Sequence, residues 1–233
     1  MVKSLALFQG RVHAGTSEGI AVEAGDDRWD IVRRAGPLEM RNVVLAAAPD
    51  GKALWAAAAH LKGGLVRFDG TAWKFMGGEG RGLFNDVSCF AFLDGDTILG
   101  TSFGAVYRWT GTGVGAWQEG LPAANIIALA ERGGAVYAGT SRGLYVFRGD
   151  RWASAQVPGG FEGVPVFAMA RSEADLFVGG LKGLYLLDRR GQVRAISGTD
   201  GFPSGPVTAL AESGGRIFAA TEHGVAVVTG WAE

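Results

Sequence analysis

The sequence has little of three features that tie a chain to a particular class of protein: cysteine, long apolar runs and charge of one sign. Its single cysteine, Cys89, excludes an internal disulfide. Glycines and charges interrupt each apolar run before the ~18 residues that a transmembrane helix needs. Basic and acidic residues number 22 and 23 and form no basic cluster, so the phosphate-neutralising surface of a nucleic-acid-binding protein is missing. We therefore expect a soluble globular chain with no nucleic-acid or membrane partner. It would be cytoplasmic as the sequence stands, and periplasmic or extracellular if a leader has been removed.

Glycine, by contrast, is abundant, with 39 residues, and it marks a repeat. The motif Gly-Thr-Ser-x-Gly occurs at residues 15–19, 100–104 and 139–143, and looser copies occur at 179–183 and 220–224. The closing glycines of six copies are Gly19, Gly64, Gly104, Gly143, Gly183 and Gly224, about 40 residues apart. A period of that length is typical of one propeller blade per repeat.

Each repeat contains four short apolar segments separated by turn residues. In the fourth copy these segments are residues 125–130, 136–138, 144–147 and the stretch opened by Trp152. Glycine pairs and Asp-Gly pairs between the segments favour tight hairpins. The sequence thus predicts an all-β, six-bladed β-propeller with four antiparallel strands per blade. The whole chain, 1–233, is predicted to be one domain with repeats at about 1–42, 43–86, 87–125, 126–165, 166–206 and 207–233.

Two further patterns concern the packing of the blades. The first segment of each repeat is apolar without alternation, as in residues 43–48, 166–170 and 207–211, which indicates a strand covered on both faces. Trp29, Trp73, Trp117, Trp152 and Trp231 all follow the third hairpin turn. We expect each of them to pack an outer strand onto the neighbouring blade. We also expect the first and last blades to meet by side-chain packing alone, with no blade assembled from both ends of the chain, and the sixth blade to have a short outer edge.

The pattern Gly-Thr-x-x-Gly-Leu-Tyr/Val-x-Phe, followed by Asp/Gly-Gly and Trp, resembles the repeats of two-component-regulator-type propellers and their BNR-like relatives. It is present at residues 64–73 and 143–152. The resemblance implies a sensor or interaction module, since such propellers mostly have these roles, while some BNR-like relatives act on glycans. Asp69-Gly70-Thr71-Ala72-Trp73 keeps part of the Asp-box of the glycan-processing members, but their arginine triad has no counterpart here.

Propeller ligands usually bind on the face that carries the second hairpin turns and the connections between blades, because long loops on a rigid scaffold collect binding groups. Phe84 and Phe202 lie in two of these connections and are expected on this face. The predicted ligand-binding residues are Glu18, Arg41, Asn42, His60, Lys62, Asn85, Asp86, Phe103, Asn125, Arg142, Lys182, Glu222 and His223.

Several functions remain open on this face. The first is a non-enzymatic module that binds a protein or a small polar ligand without a cofactor. The alternative is an enzyme at the channel mouth, such as a metal-dependent hydrolase resembling a lactonase, or a lyase; a repetitive lectin is a third possibility. Asn42, Asn85 and Asn125 recur at the start of first strands and, with Asp86, would offer oxygen ligands to Ca²⁺. Asparagine in such a place also commonly bonds its own backbone before a strand. His13, on a predicted second strand, is expected to be structural.

Overall fold

Antiparallel hairpins joined by glycine-containing turns make up the regular structure of this chain. A computed structural model describes residues 1–59, 63–77, 84, 86–157, 161–196 and 201–231, and no helix occurs among them. It follows that none of these residues forms a helix long and apolar enough to cross a membrane. The chain forms two compact units, Met1–Phe92 and Leu93–Glu233.

The first unit contains two four-stranded antiparallel sheets and a small hairpin between them. The first sheet has the order β1-β2-β3-β4, the second β10-β9-β8-β7, and β5 pairs with β6. The strands are β1 (Val2–Phe8), β2 (Arg11–Thr16), β3 (Gly19–Gly25), β4 (Arg28–Val32), β5 (Arg34–Ala35), β6 (Leu38–Glu39), β7 (Val43–Ala47), β8 (Leu54–Ala58), β9 (Gly64–Phe68) and β10 (Trp73–Gly77).

The remaining strands form three more four-stranded sheets and one three-stranded sheet, again in chain order. The third sheet contains β11 (Val87–Leu93), β12 (Asp96–Thr101), β13 (Val106–Trp109) and β14 (Val114–Ala116). The fourth contains β15 (Ile126–Arg132), β16 (Ala135–Thr140), β17 (Gly143–Arg148) and β18 (Arg151–Ser154). The fifth contains β19 (Val166–Ser172), β20 (Asp175–Gly180), β21 (Gly183–Leu187) and β22 (Val193–Ile196), and the sixth β23 (Val207–Ser213), β24 (Arg216–Thr221) and β25 (Gly224–Val228).

The sheets are the blades of a six-bladed β-propeller, as the sequence predicted. Each sheet lies within one of the predicted repeat spans, and none combines the two ends of the described chain. The sixth sheet has three strands among the described residues, so its expected short outer edge is confirmed. A groove of about 530 Å³ runs beside β25 and is lined by Ile196, Phe202 and Trp231 among others.

Apolar residues of the connections belong to the core. Leu38, Phe84, Phe161 and Phe202 come from four different connections, and all are buried. The expectation that Phe84 and Phe202 lie on a binding face is therefore wrong. Phe161 contacts the ring of Tyr185 on β21, and Phe202 packs in the same cluster as Leu184. Burying these two rings removes a large apolar area from water and holds their connections against the sheets.

The tryptophans pack as predicted in most blades. Trp117, at the end of the third sheet, contacts Phe147 and Trp152 of the fourth, with ring centroids 4.1 and 5.5 Å away. Trp231 contacts Phe177 of the fifth sheet at 4.9 Å. Trp29 is an exception, because 48% of its surface is exposed.

The prediction that first strands are covered on both faces holds only in part. Val43 and Val166 are fully buried. On β1, however, Val2, Leu5 and Leu7 are exposed, and on β23 Thr208 and Ala209 are exposed although Val207 is buried. Covering both faces requires a neighbouring sheet on each side. Inside its own unit, β1 packs beside β7 on one face and β23 packs beside β19 on one face.

Candidate functional site

A threonine hydroxyl stabilises the second hairpin turn of several blades. Thr140 Oγ1 donates a hydrogen bond to the carbonyl of Gly143 (2.9 Å) and accepts one from the backbone N–H of Arg142 (3.0 Å). Thr16 and Thr221 make the same two bonds with their own turns. The closing Gly143 has a φ of +133°, a conformation that a side chain would strain. The Gly-Thr-x-x-Gly repeat therefore specifies one rigid turn.

The third residue of the motif ties this turn to the start of the first strand of its own blade. The backbone N–H of Ser17 donates to the carbonyl of Met1 (3.0 Å), and that of Ser141 donates to the carbonyl of Asn125 (3.0 Å). Leu181, in the fifth blade, bonds to Pro165 in the same way (3.1 Å).

The turns also contact the connection that leads to the next blade. The carbonyl of Ser17 accepts from the N–H of Asn42 (3.3 Å), and the carbonyl of Arg142 accepts from the N–H of Gly163 (3.1 Å). Second hairpin turns and connections thus lie at the same end of the sheets within each unit, as the sequence predicted.

These backbone bonds leave the side chain of the fourth motif residue exposed to solvent. That residue differs from blade to blade, and in the third blade it is Phe103, which is 81% exposed. The neighbouring Glu222 lies 3.7 Å from the ring of His223 and is also exposed. The fourth residues that the structure describes, all exposed, are Glu18, Phe103, Arg142, Lys182 and His223.

In the first unit this end of the sheets forms a groove of about 440 Å³, which we call the arginine groove; it is lined by Glu18, Arg33, Arg34, Glu39, Met40 and Arg41. Its shape comes from the β5–β6 hairpin. Ala35 and Leu38 of this hairpin are buried, and because side chains alternate along a strand, their neighbours Arg34 and Glu39 face solvent.

The charges in the arginine groove are only partly paired. Arg41 lies 3.5 Å from Glu39, and both side chains are more than half exposed, so this ion pair contributes little to stability. The side chains of Arg33 and Arg34 have no ion-pair partner among the described residues. Three guanidinium groups against two carboxylates make the groove weakly positive.

The structure brings some of the predicted site residues together. Glu18 and Arg41 line one groove, and Arg142 belongs to the turn that is bonded to Asn125. Arg142 and Lys182 occupy the same motif position in successive blades. Phe103, Glu222 and His223 are exposed on turns of the second unit, and Asp86 is half-buried. His60, Lys62 and Asn85 lie outside the described residues.

Asn42 and Asn125, two of the asparagines that were considered as calcium ligands, have backbone roles. Asn42 is exposed, has a φ of +47° and donates its N–H to Ser17. Asn125 is exposed and accepts from Ser141 through its backbone carbonyl. The left-handed backbone conformation of Asn42 is one that asparagine tolerates better than most residues. Within the described ranges, no three His, Cys, Asp or Glu side chains form a group able to hold a metal ion.

The surroundings of His13 and Asp69 perturb the pKa of each side chain, and both groups have structural roles. Burial lowers the pKa of His13, which is partly offset by its hydrogen bond to the carbonyl of Arg11 (3.1 Å). The backbone N–H of Ala72 and the hydroxyl and N–H of Thr71 hold the pKa of Asp69 far below its usual range. Asp69 and Thr71 belong to the partial Asp-box, so that motif here stabilises the β9–β10 turn.

Sequence reasoning missed Arg33, Arg34 and Glu39 as groove residues. It treated residues 36–41 as a loop and did not recognise a hairpin. The available signal was the turn pair Gly36-Pro37. One charged and one apolar residue stand on each side of it, Arg34-Ala35 before the pair and Leu38-Glu39 after it.

Comparison with known proteins identifies the fold. No protein-family model matches the chain, and no curated protein matches its sequence. Among solved structures it is similar to the extracellular domain of a "putative hybrid two component system BT4673" from B. thetaiotaomicron, with a TM-score of 0.78, 16% identity and 100% of this chain covered. A second such domain, BT3049, gives 0.73 and 15% identity over 95% of this chain.

A propeller from a different kind of protein is also similar: the WD40 β-propeller domain of Doa1 has a TM-score of 0.66 at 13% identity. It covers 99% of this chain and 83% of the Doa1 chain. The present chain spans only 32% of the length of each two-component-system chain that it matches. The predicted resemblance to two-component-regulator propellers is thus confirmed as a likeness of fold, and the chain is a β-propeller.

Proposed function

We propose that this chain is a non-enzymatic binding module that recognises carboxylate-bearing ligands through its second hairpin turns and connections. One observation carries the proposal: each second hairpin turn whose fourth residue is described exposes a different side chain there, and three of these turns share the same threonine hydrogen bonds. A rigid backbone with one variable side chain per repeat is suited to recognition, because little conformational entropy is lost when a ligand is bound.

The charges at this end of the sheets favour an acidic ligand. The arginine groove holds three guanidinium groups, two of which have no ion-pair partner among the described residues. In the second unit, Arg142 and Lys182 occupy the same turn position in successive blades and are both exposed. Guanidinium groups bind carboxylates bidentately, which gives orientation as well as affinity.

The size of the arginine groove and the likeness in fold support the same function. A volume of about 440 Å³ lies within the range of small-ligand sites. The similar solved structures include extracellular domains of putative two component systems, and receipt of a ligand is a role that fits such a domain. Fold alone does not determine function, so the argument depends on the turn residues.

Charge reversal tests the proposal with a fluorescein-labelled oligoglutamate peptide as the probe, followed by fluorescence polarisation at low salt. The first double variant, Arg34→Glu/Arg41→Glu, reverses the groove, and the second, Arg142→Glu/Lys182→Glu, reverses the turn positions of the second unit. We expect each to weaken binding about tenfold or more, since each loses two attractive charges and gains two repulsive ones.

The matched control is Arg151→Glu/Arg190→Glu, which makes the same change in charge on exposed residues of third hairpin turns, at the other end of the sheets. It should leave binding within about twofold of wild type. Equal weakening by the control, or unchanged binding in both test variants, would refute the proposal.

A further inference from the structure

A pocket of about 200 Å³ lies between the fourth and fifth blades, both of which belong to the second unit. We call it the interblade pocket. Its apolar wall consists of Val146 on β17 and of Leu187 and Val193 on β21 and β22. A cavity of about 150 Å³ is large enough for benzene, so this pocket has room for one ring and a small substituent.

Two alanines of the fourth blade leave this space open. By strand register, Ala153 on β18 stands where the fifth blade has Arg194 on β22. Ala155 donates its N–H to the carbonyl of Leu144 (2.8 Å) and so stands where the fifth blade has Ile196. Because the side chain is small at both places, the outer strand of the fourth blade does not fill the gap to the fifth.

The polar lining of the interblade pocket is positively charged. The guanidinium of Arg132 donates to the backbone carbonyls of Ala174 (2.8 Å) and Asp188 in the fifth blade, and these bonds fix its position. Arg148 also lines the pocket and is exposed. Neither arginine has an ion-pair partner among the described residues, and no described lining residue is acidic. The nearby carboxylate of Asp188 accepts two backbone N–H groups of its own turn.

The hydroxyl of Tyr137 lies at this charged part of the pocket. Tyr137 lines the pocket, is only 4% exposed, and accepts a hydrogen bond from Arg132 (3.3 Å). No group of the described residues accepts the proton of this hydroxyl, and a buried donor without an acceptor is costly. A hydroxyl that accepts from a guanidinium is also a stronger donor. The pocket therefore offers a buried hydrogen-bond donor and positive charge beside an apolar wall.

From these features we infer that the interblade pocket is a second binding site, which takes a small monocarboxylic acid with a single ring. The carboxylate accepts from the hydroxyl of Tyr137 and lies against the guanidinium of Arg132, while the ring packs on the apolar wall. A negative charge and an apolar body are the two properties that this lining selects. The site is separate from the arginine groove, whose residues belong to the first unit.

Titration of the whole ¹⁵N-labelled chain with benzoate at low salt tests this inference. Benzoate should cause saturable amide shifts at pocket residues such as Ser154, Gln156 and Gly191. Tyr137→Phe keeps the ring and removes only the hydroxyl, so we expect the affinity for benzoate to fall about tenfold. Arg148→Gln, at an exposed position, should lower it about threefold.

Benzamide separates the effect of charge from that of shape. It has the ring of benzoate and a neutral amide in place of the carboxylate, so it should bind about tenfold more weakly or not at all. Equal affinity for benzamide and benzoate would overturn the inference that the site selects an acid.

The matched control is Tyr145→Phe, which removes the same hydroxyl from the same blade. Tyr145 is next to Val146 on β17, so its side chain lies on the opposite face of the sheet, and benzoate binding should stay within about twofold of wild type. Circular dichroism verifies that each variant is folded. Absence of saturable shifts in the wild type, shifts confined to residues outside the pocket, or wild-type affinity in folded Tyr137→Phe each overturns the inference. The oligoglutamate experiment changes other residues, so either proposal can fail without the other.

Discussion

The indole Nε1–H of Trp152 donates a hydrogen bond of 2.6 Å to the backbone carbonyl of Trp117. The bond links the outer strand of the fourth blade to the residue that follows the outer strand of the third. The N–H of Trp152 also donates to the carbonyl of Glu119 (2.8 Å). Both packing and hydrogen bonds therefore hold Trp152 at this junction, and its side chain is only 1% exposed.

We expect Trp152→Ala to lower the free energy of unfolding by about 3–5 kcal/mol, the usual cost of deleting a buried aromatic side chain. Trp152→Phe should lower it by about 1–3 kcal/mol, because the carbonyl of Trp117 loses its indole donor. Urea unfolding measures both. Trp29→Ala, at the equivalent but half-exposed position, is the matched control and should cost less than about 1 kcal/mol. Equal costs at Trp29 and Trp152 would show that burial does not explain the role of this tryptophan.

The turn threonine should contribute measurably to stability. Thr140 is fully buried, and Thr140→Val keeps its shape while removing both hydrogen bonds of the hydroxyl. We expect a loss of about 1–3 kcal/mol in urea unfolding. Thr110→Val is the control, because Thr110 is exposed and its bonds are longer, at 3.3 and 3.4 Å; that change should stay within about 0.5 kcal/mol. A neutral Thr140→Val would mean that the motif threonine does not stabilise the turn.

The fifth blade replaces the turn threonine by Gly180, and the structure gives the reason. A Cβ at this position would lie 2.4 Å from the carbonyl oxygen of Pro165 and 2.8 Å from the ring of Phe161. Gly180→Ala should therefore destabilise the chain by about 1–3 kcal/mol through overpacking. Gly115→Ala, where a Cβ would meet no atom within 4 Å, is the control in the same thermal or urea unfolding assay. A stable Gly180→Ala variant would show that the connection can shift away from this turn.

His13 should make stability depend on pH. Its folded-state pKa is lowered by burial, so below the ordinary histidine pKa of about 6.5 the unfolded chain binds a proton that the folded chain does not. The free energy of unfolding should thus fall as the pH decreases from about 6.5 toward the lower folded-state pKa. His13→Phe, which keeps a ring against Phe8, should remove this part of the pH dependence. Identical pH profiles for the variant and the wild type would exclude His13 as its source.

Much of the fold could be predicted because the repeat acts through local chemistry. Gly143 and Thr140 fix a turn by backbone conformation and by short-range hydrogen bonds, and both requirements are visible in the sequence. The same holds for the order of strands, since each hairpin joins neighbours along the chain. The exposed position of Glu18 and Arg142 follows from the turn as well.

The parts that were wrong or missed depend on tertiary contacts. Phe84 and Phe202 lie in polar, glycine-rich connections, and only the sheets beneath them explain why they are buried. Trp29 follows the repeat pattern, but no neighbouring side chain covers it fully. Arg33 and Arg34 enter the candidate site because the β5–β6 hairpin packs Ala35 and Leu38 into the core.

The location of the binding surface at one end of the sheets is the central claim, and amide chemical-shift mapping tests it most directly. Unlabelled oligoglutamate peptide is added to the ¹⁵N-labelled chain, and the shifts of assigned amides are followed. The account predicts that changes concentrate at second hairpin turns and connections, such as Glu18, Arg41 and Arg142. Changes confined to first and third hairpin turns, such as Gly95, Gly134 and Asp150, would contradict it.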